Sequence, residues 1–214
     1  MSDLEAELAA REASDPLVRP ATAGNALFQR LVETFTTDRG VHLETVTVVL
    51  GALAGRACRI AAEHDDAGRT LAKVETVDGA TYVMGDGINW PLAESPTSVW
   101  AILAGAVVEA GGTLPDLGEA FGRSASTLGS PEFEIPRFAE GTDAEPPRAA
   151  LAYWGPASGL IAAIAPDPRH APIAVAFALR DLVRAAAPGG ADLEALARVA
   201  LDSALVTSKL PLDA

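Results

Sequence analysis

Cysteine is almost absent from this sequence. Cys58 is the single cysteine among 214 residues, so no disulfide can form within the chain. Structural disulfides belong to oxidising compartments, and their absence predicts a cytoplasmic protein. The first residues are acidic and lack the basic and apolar regions of a secretory signal. A chain of this length can bury roughly 70% of its unfolded surface, so we expect a stable core without cross-links.

Positive charge is also scarce. Lys and Arg together number 16 against 29 Asp and Glu, which gives a formal net charge of −13. Nucleic acids and anionic lipid surfaces are both bound through Lys and Arg, so we expect neither nucleic-acid nor membrane partners. The charge favours solubility. An acidic face that docks a basic protein is an open alternative.

Long hydrophobic runs are missing. The longest strongly apolar stretches are about 45–55 and 99–108, shorter than the ~18 residues that a membrane span needs. Aromatic residues make up only 5% of the chain, so Leu, Val, Ile and Ala must build the core. The second apolar stretch, with Val and Trp100 on all sides of a helix, is typical of a central core helix.

The clearest helix is predicted from Leu43 to about His64. Apolar residues recur there every three or four positions, which indicates a helical seam. A strand over 41–49 is the alternative, because that stretch is rich in Val and Thr. Gly51 and Gly55, four residues apart, would allow a second backbone to approach this helix closely.

Further helices follow from capping signals. One is predicted from Thr22 and ends at Gly40 in a left-handed cap, and one starts at Ser95-Pro96. Asp116 and Asp192 are predicted to cap two more helices. The helical stretch 149–154 precedes Gly155-Pro156, which should break or restart a helix.

An Asp-Gly pair at 78–79 predicts a β-hairpin. It separates two short β-prone runs, and the two-residue turn would pair Val74 with Val83. The sequence therefore predicts a mainly α (α+β) fold, a single-domain bundle of about seven to eight helices with one hairpin at about residues 71–84. Residues 1–21 would form an N-terminal helix and linker, and 22–214 the globular domain. The Pro-rich stretch 129–147 would be a long surface loop, held against the rest of the domain by the apolar side chains Phe133, Ile135 and Phe138.

No motif specific for a cofactor or a family occurs. Gly85-Asp86-Gly87 lacks the third glycine of a dinucleotide fingerprint and instead indicates a loop with positive φ. Residues 122–126, around Ser124, lack the last glycine of a nucleophile elbow. Cys58 fits a small buried hydrophobe, although the nearby arginines could make it a nucleophile. We expect no cofactor.

Loop aromatics are the best candidates for a binding site. Trp90 follows the hairpin, and Tyr153 and Trp154 lie at a predicted helix end. In an aromatic-poor chain, such residues indicate a ligand pocket or an interface, although they could simply plug the bundle. Asp86 and Asn89, close to Trp90, complete the candidate set.

A metal site is a weaker hypothesis. His64, Asp65 and Asp66 cluster at a helix end and could bind a divalent cation, but this pattern is also ordinary turn chemistry. We expect no metal. His170, between prolines, is expected to be solvated.

The sequence favours a non-catalytic, self-associating binding or interaction protein. Small residues on apolar helices and an isolated hairpin predict a homodimer that binds a small ligand or a protein partner. The alternative is a hydrolase-like small-molecule enzyme with a dispersed site near the hairpin ends, built from Asp86, Asn89, His64 and Asp66. No catalytic residue can be named.

Overall fold

Eight helices of ten or more residues dominate the computed structural model, which describes residues 3–38, 40–77, 79–137 and 146–212. They confirm the predicted mainly α bundle. The helices are α1 (Asp3–Glu12), α2 (Val18–Phe35), α3 (Leu43–Glu63), α4 (Val99–Glu109), α5 (Leu117–Ser126), α6 (Trp154–Ile164), α7 (Ala171–Ala186) and α8 (Leu193–Lys209). Short helical turns cover Asp86–Asn89, Trp90–Glu94, Pro131–Glu134, Pro147–Ala150, Leu151–Tyr153, Pro168–His170 and Ala187–Gly189.

Helices α3 and α8 form the centre of the core. The aliphatic seam of α3 is buried, as predicted, and rules out the strand alternative for its first residues. A Cβ at Gly51 would lie 2.5 Å from the Ala200 carbonyl oxygen, and one at Gly55 would collide with Ala204 and Thr207 of α8. Both glycines therefore serve the close internal packing of two helices. Helix α7 packs on α3, α2 and α4, and α6 packs on α2.

The N-terminal linker is shorter than expected. Helix α2 begins at Val18, and Pro20 lies in its first turn, where the missing N–H needs no partner. The Arg19 side chain, nearly buried, donates to Glu5 at 2.7 Å and to Glu12 at 2.8 Å. These ion pairs hold α1 against α2, so the predicted start of the domain at residue 22 divides one continuous helix.

Gly40 does not cap a helix. Helix α2 ends at Phe35, and Gly40, with φ of +99°, belongs to a two-residue antiparallel pairing of Thr36–Thr37 with Gly40–Val41. Its positive φ was anticipated correctly, but a tight turn requires it instead of a helix end.

The predicted hairpin is present with a different register. Strand β1 (Ala72–Glu75) pairs with β2 (Thr81–Met84) so that Val74 lies opposite Tyr82 instead of Val83. Thr76 N–H donates to the Ala80 carbonyl, and Gly79 has φ of +85°. This is the signature of a longer hairpin loop closed by a left-handed glycine. Asp78 lies outside the described residues.

Helix α4 starts later and lies farther out than predicted. Ser98, not Ser95, caps it by accepting a hydrogen bond from the Ala101 N–H at 3.1 Å. Val108 is 59% exposed, so α4 is not a central helix despite its apolar composition.

Two helical stretches have the length and apolar composition of a membrane span. Leu43–Glu63 and Asp86–Glu109 are long and apolar enough to cross a bilayer, and their apolar windows are 89% and 33% buried in the fold. A third candidate would require Pro147–Ile164 and Pro168–Gly189, bent by 113°, to act as one span. Packing inside the bundle accounts for the apolar composition of α3. The expected absence of a membrane partner stays a prediction.

The stretch 129–147 is only partly a loop. Phe133 is buried against Tyr82, whereas Ile135 is exposed and does not hold the segment against the core. Arg137 anchors it instead, through hydrogen bonds of 2.9 Å to both carboxylate oxygens of the buried Asp202 in α8. Phe138 lies outside the described residues.

Downstream, a new helix begins at Gly155-Pro156, which is one of the two outcomes predicted there. The turns Pro147–Ala150 and Leu151–Tyr153 precede α6, and Pro156 falls in its first turn, where a proline is tolerated. Asp192 caps α8 as predicted by accepting from the Ala195 N–H at 3.0 Å, and Asp116 caps α5 in the same way.

Candidate functional site

The segment that follows the hairpin separates two cavities. Gly87, Trp90 and Pro91 share one helical face and line a cavity of about 290 Å³, here called the Trp90 cavity. Ile88 and Asn89 lie on the other face and line a smaller cavity. The Trp90 cavity is completed by Ala61, Asp65, Arg69, Ser95, Thr97, Asp167, Arg169, His170 and Ile173.

Gly85 holds this segment in place. Its φ is +135°, as the sequence suggested for the Gly-Asp-Gly stretch, and a Cβ there would collide with the Thr70 carbonyl group. The Gly87 N–H donates to that same carbonyl at 3.2 Å. The segment ends where the Ser95 N–H reaches back five residues to the Trp90 carbonyl at 2.9 Å. Backbone hydrogen bonds therefore fix the segment on both sides of Trp90.

Arg69 stacks on Trp90. Its guanidinium carbon lies 4.1 Å from the indole centroid, within the range of a cation–π contact. The Arg69 Nη1 donates to both carboxylate oxygens of Asp65, at 2.9 and 3.0 Å. Burial opposes ionisation of Asp65, but hydrogen bonds from the Ala67 N–H and from Arg69 outweigh it, and the pKa of Asp65 lies below its ordinary value. Asp65 thus orients the stacked guanidinium.

A second Arg–Asp pair forms the opposite wall. Asp167 caps the turn Pro168–His170 by accepting from the Arg169 N–H at 2.9 Å. The Arg169 side chain also donates to Asp167 from Nε at 3.0 Å and from Nη2 at 2.6 Å. These hydrogen bonds lower the pKa of Asp167 to about 2. Both guanidinium groups at the cavity are consequently held by a carboxylate of the protein.

His170 also lines the cavity, and it is not simply solvated as expected from the sequence. Its Nδ1 is buried without a hydrogen-bond partner. A buried polar atom without a hydrogen-bond partner costs about 1–3 kcal/mol of stability.

This chain matches no known protein-family model, no curated protein and no solved structure.

The aromatic candidates fall into two places. Trp90 is 39% exposed at the cavity wall. Tyr153 and Trp154 pack on the main core, and the Tyr153 ring contacts Phe35 edge-on with centroids 5.2 Å apart. Trp90 thus lines a cavity, whereas Tyr153 and Trp154 pack against the helical core, which is the alternative that the sequence left open for these aromatic residues.

The polar candidates do not form one cluster. Asn89 lines the smaller cavity and Asp86 is exposed. His64 Nδ1 lies 3.0 Å from the Ile60 carbonyl of its own helix, and Asp66 is an exposed neighbour of Arg169 at 3.8 Å. Within the described part of the chain no hydrogen bond joins Asp86, Asn89 and His64.

The weak metal hypothesis gains no support. Over the described ranges, no group of three His, Cys, Asp or Glu side chains is arranged to hold a metal ion. Asp65 is engaged by Arg69, and His64 by its own helix. Cys58 is fully buried, and burial raises the pKa of its thiol far above the ordinary value, which contradicts the nucleophile alternative.

Proposed function

We propose that this protein binds a small, planar, hydrogen-bonding molecule in the Trp90 cavity. The observation that carries the proposal is the stack of Arg69 on Trp90, oriented by Asp65, in the wall of that cavity. A cavity of about 290 Å³ is at the lower end of the range for ligand pockets, which favours a ligand of one or two rings.

Stacking favours a flat ligand. A planar ring would extend the existing stack on the guanidinium or on the exposed part of the indole, and both surfaces are already ordered before binding. A puckered ring of equal size could not make this contact over its whole face. Planarity should therefore decide affinity more than size does.

The charge balance of the cavity favours an uncharged ligand. Arg69 is paired with Asp65, and Arg169 with Asp167, so neither cation is left for an anionic group. Ser95 and Thr97 also line the cavity and can hydrogen-bond the ligand edge through their hydroxyl groups. The ligand class is a neutral heteroaromatic or carboxamide-bearing ring.

Binding is better supported here than hydrolysis. The dispersed hydrolase site expected near the hairpin ends would need Asp86, Asn89, His64 and Asp66 to share hydrogen bonds. Among the residues that the structure describes, no hydrogen bond joins these four side chains. The ion pairs of the Trp90 cavity keep both carboxylates ionised and occupied, which suits recognition and leaves no free general base among them.

Native mass spectrometry of protein purified without unfolding tests the proposal. We expect a bound small molecule on the wild type and on the control Leu114→Ala, whose exposed side chain does not line the cavity. Trp90→Leu, which removes the flat ring but keeps an apolar side chain, should lose it. Equal occupancy of Trp90→Leu would contradict the proposal.

Self-association is a second proposal, supported by the outer surface of α4. The helix is apolar on all sides, yet Val108 is 59% exposed beside the uncovered Gly105. A homodimer would cover this strip. Light scattering coupled to size exclusion should give the mass of a dimer for the wild type and the mass of a monomer for Val108→Glu. A wild-type protein that is monomeric at high concentration would contradict self-association.

The cytoplasmic location suggested by the lone Cys58 stays a prediction as well.

A further inference from the structure

The two lysines of this chain lie in opposite environments. Fourteen of its 16 Lys and Arg residues are arginines, and only Lys73 and Lys209 are lysines. Lys73 is exposed on β1, whereas Lys209, the last residue of α8, is only 8% exposed. Lysine is rarely buried in proteins unless it is paired with an anion.

Lys209 has no such anion. Its Nζ donates to Ser124 Oγ at 2.7 Å and lies 3.4 Å from the Leu205 carbonyl oxygen. No carboxylate among the residues the structure describes forms an ion pair with it. Both partners are neutral acceptors, so no carboxylate compensates a full positive charge at this position. Burial accordingly lowers the pKa of Lys209 to about 8, so about one tenth of the side chain is the neutral amine at pH 7, against about 0.03% for an ordinary lysine.

Lys209 lines a cavity of about 110 Å³. Asn89 and Ser208 are the other polar members of its wall, and the hairpin end and α5 contribute apolar side chains such as Val83 and Phe121. The volume is several times the ~10–15 Å³ that one water molecule requires. The helical segment 86–94 separates this cavity from the Trp90 cavity, and Ser124 does not line it.

We infer that Lys209 is a nucleophilic amine that captures a small apolar aldehyde or ketone in this cavity as a Schiff base. This inference is independent of ligand binding at Trp90. A buried, uncompensated lysine beside an apolar cavity is the arrangement that activates an amine toward carbonyl groups.

The chemistry balances without an oxidant or a metal. The Nζ lone pair attacks the carbonyl carbon, a C–N bond forms, and a proton moves from nitrogen to the former carbonyl oxygen to give a carbinolamine. Loss of that hydroxyl with the second nitrogen proton releases one water and leaves the C=N bond. Ser124 acts as a positioning residue, because its Oγ accepts from Nζ and directs the amine.

Reductive trapping with butanal and borohydride tests the inference on the full-length protein. The chain supplies its own control, because Lys73 is the other lysine. We expect a butyl group on Lys209 in wild type and in Lys73→Arg, formed at least about tenfold faster than on Lys73, because more of the buried amine is neutral. Peptide mapping locates the adduct, and Lys209→Arg should lose it.

Two further measurements test the positioning role of Ser124 and the preference of the cavity for an apolar aldehyde. Ser124→Ala should slow trapping at Lys209 while the circular dichroism and melting temperature show an intact fold, and trapping at Lys73 should not change. A polar aldehyde of similar size, glyceraldehyde, should label Lys209 more slowly than butanal does. Labelling of Lys73 as fast as Lys209, or no adduct at Lys209 in a folded protein, would overturn it.

Discussion

Thr207 in α8 donates a hydrogen bond from its Oγ1 to the backbone carbonyl oxygen of Ala52 in α3, at 2.8 Å. Such a contact between a side chain of one helix and the backbone of another requires a close approach. Gly51 and Gly55 provide it, since a side chain at either position would meet the backbone of α8. The core of this protein is therefore organised by two glycines as much as by its aliphatic seam.

Substitution of Gly55 by alanine should test that packing. The added methyl group would collide with the Ala204 carbonyl and with Thr207, and backbone cannot move aside as a flexible side chain can. We expect a loss of at least about 2 kcal/mol in the free energy of unfolding, from overpacking and from a strained interhelical hydrogen bond. Urea denaturation measures it.

Gly105 is the matched control for this substitution. It also lies within a helix, is exposed, and has open space where a Cβ would be. Gly105→Ala should stabilise the protein by roughly 0.5–1 kcal/mol, because alanine has the higher helix propensity. If Gly55→Ala behaved like Gly105→Ala, the close approach of α3 and α8 would be wrong.

The Asp167–Arg169 pair should make stability depend on acidic pH. The pKa of Asp167 is lowered from 3.8 to about 2 in the folded state, so folding favours its ionised form. The contribution is fully present above 3.8 and is lost as the pH falls toward 2. In Asp167→Asn, the drop in unfolding free energy across this window should be smaller than in the wild type. An identical drop in both proteins would show that the pair does not contribute.

The sequence could anticipate elements whose causes are local. Repeated apolar spacing was sufficient for α3, and the Asp116 and Asp192 side chains cap helices through neighbours three residues away. Errors arose where a local signal has two outcomes. Pro20 was expected to lie in a linker but is in the first turn of α2, and the hairpin register depended on which loop geometry Gly79 adopts.

The candidate site was less predictable because its parts come from distant segments. Trp90 was identified from its rarity and its loop position, but nothing near it in sequence indicates Asp167 or His170. Lys209 meets Ser124 only through the packing of α8 on α5, and the sequence around each is ordinary helix. The apolar composition of α4 was misleading, because hydropathy alone does not tell a central helix from one with an uncovered apolar face.

Replacement of Lys209 by methionine should stabilise the protein at neutral pH. The pKa of Lys209 falls from 10.5 to about 8 on folding, so below 8 the folded protein bears the cost of burying the charge. Stability should rise with pH between 8 and 10.5, where only the unfolded state still binds the proton. Lys209→Met should gain about 1–3 kcal/mol at pH 7 and lose that advantage above 10.5.

Thermal unfolding of both proteins over this pH range provides the measurement. Lys73→Met, at an exposed position, should change stability little at any of these pH values. If Lys209→Met were less stable than the wild type at pH 7, Lys209 would be a structural residue rather than one retained at a cost to stability.

We expect the Trp90 cavity to bind flat, uncharged rings. A calorimetric titration tests this with nicotinamide and with tetrahydropyran-3-carboxamide, two uncharged carboxamides of nearly equal size of which only the first has a planar ring. We expect measurable binding of nicotinamide to wild type and to Trp90→Phe, at least about tenfold weaker binding to Trp90→Leu, and weaker binding of tetrahydropyran-3-carboxamide to the wild type. Equal affinity of Trp90→Leu and wild type for nicotinamide, with both proteins folded, would show that the cavity does not bind flat rings through Trp90.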